Sequence, residues 1–413
     1  MKPLLERLIN LGLRGTTLVS KFLLIFLLAR FLEPAELGLY GLITVTISYS
    51  LYFLGFDFYI FTTREILKTE PENRGQLLKS QAGLSLILYS VFLPLSSCLF
   101  AFGLLPWWLL PWFLALLVLE HITQELNRLL VALSRQLMAS WVLFFRAGAW
   151  CLLVVAAIYL NEDQRNLQTV LASWILGSGS ALLIGLVVIV REDLGGWRQP
   201  VNWAWVKKGL GIALPMLLAT LALRGLYTVD RYWFEALAGL DVLGAYVLYI
   251  GMCGALLAFM DAGVFTFLYP ALISAYANQD AAGFRAKFRQ MALQTGVLIL
   301  IFSSVAWLAV EPLLQWLERP LYQEYQHLFG WLLFANALFV TSMVPHYALY
   351  ARGKDKPLII GHLVGFAVFT MATPVFSLFT SELAVPLGLI TAFGFILGWK
   401  TLQFYRLTPA DWR

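Results

Sequence analysis

Apolar runs of about twenty residues recur along the whole chain, each long enough to cross a hydrocarbon core as an α-helix. They fall at roughly 10–32, 37–62, 77–103, 107–130, 137–160, 168–190, 208–234, 241–272, 290–317, 326–350, 357–379 and 383–405. In lipid every backbone N–H and C=O must find its partner within the protein, which leaves helices and closed barrels as the only spanning structures. The runs are continuous rather than alternating, which excludes a transmembrane β-barrel. The chain is therefore expected to be an all-α polytopic membrane protein with about twelve transmembrane helices. Of its 413 residues 60% are hydrophobic and 13% charged, about half the charged share of a soluble domain.

The connections sort into two sets. One holds Lys2 and Arg7; Arg64, Lys68, Arg74 and Lys79; Arg128 and Arg135; Arg191, Arg198, Lys207 and Lys208; Arg285, Lys287 and Arg289; Arg352, Lys354 and Lys356; and Lys400, Arg406 and Arg413. The alternate set has only Arg30, Arg165 and Arg319 among nine carboxylates such as Glu33, Glu36, Glu162 and Glu382. Basic loops stay in the cytoplasm, so this alternation makes the span count even and puts both termini on the cytoplasmic side. The net charge of +5 follows from those scattered loop cations, and nucleic acid is not an expected partner. Cys98, Cys151 and Cys253 lie in apolar segments and read as small buried hydrophobes. His121, His327, His346 and His362 are scattered without ligand spacing, so neither a metal nor another cofactor is expected. No nucleophile–base or nucleotide-binding motif points to an enzyme. The first apolar stretch is long and no small-x-small site follows it, so a cleavable leader is not expected.

Near the middle, the segment from Arg191 to Lys208 is basic and carries Trp197, Trp203 and Trp205; indole rings favour the membrane interface. It divides the chain into an N-terminal lobe of six spans (1–194), a cytoplasmic interfacial linker (195–207) and a C-terminal lobe of six spans (208–413). The halves echo each other. Ala35 to Tyr40 (AELGLY) matches Asp241 to Tyr246 (DVLGAY), and Gly55 to Tyr59 (GFDFY) corresponds loosely to Phe259 to Gly263 (FMDAG), at offsets of 206 and 204 residues. Repeats with an even number of spans share one orientation, so the two six-helix lobes form a parallel pseudo-repeat about an axis along the membrane normal, as in transporters that hold substrate between halves.

Charges within the spans stand out, because each costs roughly 2.5–3.5 kcal/mol or more to insert at the bilayer centre. Lys21 sits mid-span with Arg14 two turns behind it on the same face. Span seven repeats the device with Arg224 and Arg231, again seven residues apart. Such cations need an anionic partner or a wet cavity; they either converge on an anion or are neutralised within their own lobes, with Asp57 for Arg14 and Asp230 for Arg231. Glu120 and Arg146 lie at similar depth on adjacent spans and are expected to pair within the lobe, the alternative being a proton-coupling carboxylate. Asp261, and with it Asp57, is a candidate for cation coupling. Tyr49, Tyr52 and Phe56 share a face of span two with Phe53 and Tyr59; they stack on sugars or simply pack. Gly177, Ser178, Gly179 and Ser180 allow close helix contact, and Pro215 marks a bending point or a static kink.

Residues Ala29 to Tyr40 (ARFLEPAELGLY) resemble the signature AR-x-L-x-P-x-x-x-G-x-Y that ends the first helix of Wzx-type polysaccharide flippases, members of the multidrug/oligosaccharidyl-lipid/polysaccharide exporter superfamily. The echo at Leu243 to Tyr246 and the span count agree. Asp57-Phe58-Tyr59 departs from the Asp-Leu-Gly common in that family, which leaves the local backbone open. The resemblance implies two six-helix lobes arranged as a V, alternating access, and spans one, two, seven and eight at the central cavity. It implies that the substrate is an undecaprenyl-pyrophosphate-linked oligosaccharide moved from the cytoplasmic to the periplasmic leaflet of a bacterial inner membrane, in O-antigen or lipopolysaccharide biosynthesis. Lys21, Arg224, Arg14 and Arg231 would then bind the pyrophosphate, arginine through paired N–H donors. Membrane lipids, a polysaccharide polymerase and a chain-length regulator are the implied partners. A cation-coupled multidrug antiporter of the same superfamily is the first rival, although its cationic substrates call for acidic cavity residues. A membrane O-antigen polymerase or ligase calls for a longer outer loop than the one from about Glu311 to His327.

Overall fold

A computed structural model describes residues 2–192 and 194–412; Arg413 and the side chains of Lys2 and Arg7 lie outside the described residues. These residues form helices joined by short connections, with no strand among them. Eleven helices are long and apolar enough to cross a membrane, or twelve if the segments Trp203–Pro215 and Leu217–Ala238 are one span. The chain divides into two compact units, residues 1–217 and 218–413.

In the first unit α1 (Lys2–Phe31) stops at Glu33-Pro34. A residue before proline is pushed out of the helical region, and Glu33 is extended (φ −68, ψ 147). The same proline then occupies the first turn of α2 (Pro34–Gly55), where its missing N–H costs nothing. Glu33 and Glu36 form a reciprocal capping box. Glu36 also accepts from the Leu167 backbone N–H at 3.0 Å, tying the start of α2 to the start of a distant span. Much of the signature is thus a helix-restart device. After α2 come α3 (Tyr59–Lys68), α4 (Pro71–Ser96) with the short α5 (Cys98–Ala101), and α6 (Leu110–Ala132). The fifth span is α7 (Gln136–Phe144), a π-helical turn (Phe145–Ala149) and α8 (Trp150–Leu160); α9 (Leu167–Arg191) follows.

The linker after α9 is strapped along the start of α4. Gly75 N–H donates to Gly195 O at 2.7 Å and Gly195 N–H to Pro71 O at 3.0 Å, while Lys79 Nζ donates to Trp197 O and Gln199 O. A Cβ at Gly195 would stand 2.6 Å from Glu72 O, so the approach needs glycine. Trp197 and Trp203 are exposed, but Trp205 is buried against Phe58 and Phe61, at ring distances of 5.3 and 5.0 Å. Arg135, after α6, forms a two-pronged pair with Glu192 after α9, and that bond and charge hold its guanidinium above the ordinary arginine value.

The long α10 (Trp203–Ala238) contains Pro215 and enters the second unit at Leu218. The rest of that unit is α11 (Leu240–Met260), a π-helical turn (Asp261–Phe265), α12 (Thr266–Ala277), α13 (Ala281–Leu317), α14 (Pro320–Glu324), α15 (His327–Ala351), α16 (Asp355–Ser377) and α17 (Ala384–Leu407). One cluster of its core packs Leu256, Met260 and Phe265 with Phe284, Met291, Val340 and Phe404.

Helix ends correct the sequence reading of some cations. Arg128 and Lys400 are grouped with the connection cations although they fall inside the apolar runs 107–130 and 383–405, and α6 extends to Ala132 and α17 to Leu407. Both side chains therefore lie inside helices, and Lys400 is buried. His346 and His362, scattered in sequence, stack with ring centroids 6.0 Å apart.

Candidate functional site

In the first unit the charges gather on Glu120 of α6. Arg146 Nε donates to Glu120 Oε2 at 2.7 Å, and Trp174 Nε1 and Ser178 Oγ of α9 each donate to Oε1 at 2.8 Å. A carboxylate taking three donors in a largely buried site has its charge well satisfied. Arg146 stands in the π-helical turn, a form that adds a residue to the helix and re-aims its side chains. Two glycines let neighbours reach that turn. A Cβ at Gly177 would meet Phe145 O and Trp150 Cβ at 2.7 Å, and one at Gly148 would meet Thr17 Cα at 3.0 Å. Gly179 faces open space, so the small-residue stripe is close-packed at one position and not at the other.

Lys21 and Arg14 both stand exposed on α1. Lys21 interacts electrostatically with Glu120 and Arg146 but forms no ion pair among the described residues. Since Arg146 already balances Glu120, Lys21 leaves the group with a surplus positive charge. Arg14 Nε donates to Ser140 Oγ at 3.2 Å, a neutral partner, and Ser140 in turn donates to Asn10 Oδ1.

The second unit treats its two arginines differently. Arg231 Nη1 reaches Asp230 Oδ1 at 3.3 Å and also donates to Tyr227 O. Tyr246 Oη donates to the other Asp230 oxygen at 2.7 Å, so the tyrosine of the echoed motif serves this pair. Arg224 is exposed and makes no ion pair among the described residues. Asp57 is buried and Asp261 exposed. Both aligned aspartates mark a break in their span. Phe56 and Asp57 each take a left-handed φ of 50° between α2 and α3, and α11 gives way to the π-helical turn at Asp261. Tyr59, in place of the family's glycine, begins α3, and the left-handed residues precede it, so no glycine is needed at that position.

The aromatic face of α2 lies against α4. Tyr49 meets Phe53 edge-on at 5.5 Å, and Phe53 and Phe56 approach Phe92 at 5.4 and 6.0 Å; Tyr52 is half-buried. A cavity of about 420 Å³ opens below them, lined by residues including Tyr59, Gln81, Tyr89, His121, Glu125 and Arg128. Glu125 pairs with Arg128 at 2.5 Å and accepts from Gln81 at 2.7 Å. Arg128 stacks 3.5 Å over the Tyr59 ring, and Tyr89 Oη meets His121 Nδ1 at 2.6 Å. Sequence reasoning passed over this cluster. Its signal was the spacing of His121, Glu125 and Arg128 at four and three residues, one face of a helix.

The two units are built of apolar spans, and Glu120, Glu125 and Asp230 within them each hold an arginine. The fold is similar to that of solved transporters of the MOP superfamily. It is similar to a multidrug resistance MATE family transporter in an inward-facing conformation, with TM-score 0.77 and 13% identity over 97% of this chain and 98% of that chain. It is also similar to a MOP superfamily transporter from Pyrococcus furiosus described as having a binding pocket of reverse polarity, with TM-score 0.61 and 14% identity over 98% and 95%. A Vibrio cholerae MATE transporter, VcmN, matches with TM-score 0.54 and 16% identity over 97% of both chains. No curated protein is significantly similar in sequence. Residues 8–276 match the family described as polysaccharide biosynthesis protein, and the chain belongs to that family.

Proposed function

We propose that the protein carries an oligosaccharide linked through pyrophosphate to undecaprenol from the cytoplasmic to the periplasmic leaflet of a bacterial inner membrane. One observation carries the reading: Lys21 on α1 and Arg224 on α10 are exposed cations within spans, and neither forms an ion pair among the described residues. Glu120, Glu125 and Asp230, by contrast, each hold an arginine. A site built for a cationic drug would leave carboxylates free and neutralise the basic groups. Around Glu120, Arg146 and Lys21 the surplus is positive, which suits a diphosphate that must shed water. Lys21 offers a compact point charge and Arg224 a planar fork of donors. Arg231, committed to Asp230, steadies α10 against α11 rather than meeting the head group. Under a negative-inside potential, outward movement of each negative charge is favoured by about 2.3 kcal/mol per 100 mV.

The test is complementation of a flippase-null host. Lys21→Ala and Arg224→Ala, each at normal protein level, are expected to lose most surface polysaccharide, with Lys21→Arg retaining a substantial part. Full complementation by both alanine variants contradicts the anion-handling role.

A further inference from the structure

Lys400 of α17 is completely buried, at 0% exposure, and its Nζ has no hydrogen-bond partner among the described residues. The groups around it are basic or apolar. The Phe339 ring lies 6.0 Å from Nζ, and His346 of α15 and His362 of α16 both interact with it electrostatically. The two imidazoles stack nearly parallel, 11° apart. His346 Nδ1 and His362 Nε2 are themselves buried without a partner. The three residues share one depth. Lys400 is seven residues before the end of α17, His362 seven after the start of α16 and His346 five before the end of α15. At 1.5 Å per residue that places each about 8–11 Å inside the same end of the unit.

The other groups facing this cluster are weakly titratable or already occupied. On α15, Tyr347 meets His346 edge-on at 5.5 Å and Tyr350 stacks at 6.5 Å. On α10, Tyr227 packs on Phe339. On α17, Trp399 donates to Pro357 O of α16. At the same end Arg352 is held by Thr408 and Leu407 O. The acid that reaches this shell is Asp261, which acts electrostatically on Tyr347. No ion pair among the described residues involves Lys400, His346 or His362.

Packing does not explain the arrangement. Methionine and phenylalanine would fill the same space without stranding three polar nitrogens, each of which forfeits its hydrogen bonds. Nor does a structural cation fit, because a buried ammonium is normally held by an acceptor. The ligand that answers three basic nitrogens and no anion is a single proton. With one bound, its charge is faced by neutral basic groups and not by a second cation. With three bound, like charges crowd an apolar core.

We propose that Lys400, His346 and His362 form a proton-binding site in the core of the second unit, filled from and emptied to water during the transport cycle. The proton is taken up and released unchanged, with no other bond made or broken. The site stands on this geometry alone; only its use in the cycle rests on the transport reading.

The experiment uses the full chain in lipid nanodiscs with ¹³C-labelled histidine rings, followed by infrared spectroscopy across pH. The four histidines are assigned by single substitution. The ring bands of His346 and His362 are expected to titrate within a scan of about pH 3–9, with a midpoint that rises by one pH unit or more when Lys400→Met removes the neighbouring basic group. Bands that stay constant over that range, or a midpoint indifferent to Lys400→Met, overturn the proposal. If Lys400→Met does not fold, His346→Asn must move the His362 midpoint in the same way, and an unmoved midpoint is equally fatal. No glycan enters the measurement, so its failure leaves the flippase reading standing, and failed complementation leaves the proton site standing.

Discussion

Removing Arg146 strands a carboxylate that the first unit is built around. Glu120 is 6% exposed, and its one charged donor is Arg146 at 2.7 Å. Breaking a buried ion pair from one side costs about 3–5 kcal/mol, mostly because the remaining charge is left uncompensated. Arg146→Met is therefore expected to fall in this range. Glu120→Gln keeps an acceptor oxygen for Trp174 or Ser178 but gives up the charge, for about 1.5–3 kcal/mol. The double variant leaves no stranded charge, so its cost should be smaller than the sum of the singles by about 1.5 kcal/mol or more. At about 2–4 °C per kcal/mol for a unit of this size, Arg146→Met should lower the melting temperature of the purified protein by roughly 6–20 °C. Thermal unfolding of all three variants in one detergent reads the cycle directly. Singles that add to within about 0.5 kcal/mol would refute the coupling. Glu120→Gln should still complement at normal protein level, because the group holds helices together; a folded but inactive Glu120→Gln would assign the carboxylate to proton transfer instead.

Gly177→Ala should destabilise by about 1–3 kcal/mol, since its Cβ would meet Phe145 O and Trp150 Cβ at 2.7 Å in a packed interior, whereas Gly179→Ala, with nothing within 4 Å, should be within about 0.5 kcal/mol of the parent; melting curves of the two decide it. Glu36→Ala removes both the capping box of α2 and the acceptor for Leu167 N–H, for a loss of about 1–2 kcal/mol. Hydrogen exchange at the starts of α2 and α9 should rise together in that variant, and exchange that rises only at α2 contradicts the tie between them.

The long apolar runs were legible from the sequence because a bilayer permits so few answers, and the helices follow them closely. Glu33-Pro34 was legible as a break, although not as the capping device that Glu33 and Glu36 make of it. The opposition of Glu120 and Arg146 could be read from matching depths on neighbouring spans. What escaped was whatever depends on helix ends and on contacts across spans. Arg128 and Lys400 were sorted with the loop cations by the sign of their charge, although both fall inside the apolar runs that α6 and α17 follow. His346 and His362 are sixteen residues apart on different helices, and no periodicity announces their stacking. The break at Phe56 and Asp57 was likewise hidden, because it depends on backbone dihedrals that no side-chain pattern there demands.

Exposed cations that recognise a diphosphate are central to the proposed transport. Its most direct measurement is binding of undecaprenyl diphosphate and of undecaprenol to the purified full-length protein, by native mass spectrometry, for the parent, Lys21→Ala and Arg224→Ala. The account predicts that the diphosphate binds at least tenfold more tightly than the alcohol and that each substitution removes most of that preference. Equal affinity for the two lipids, or a preference untouched by both substitutions, would contradict it.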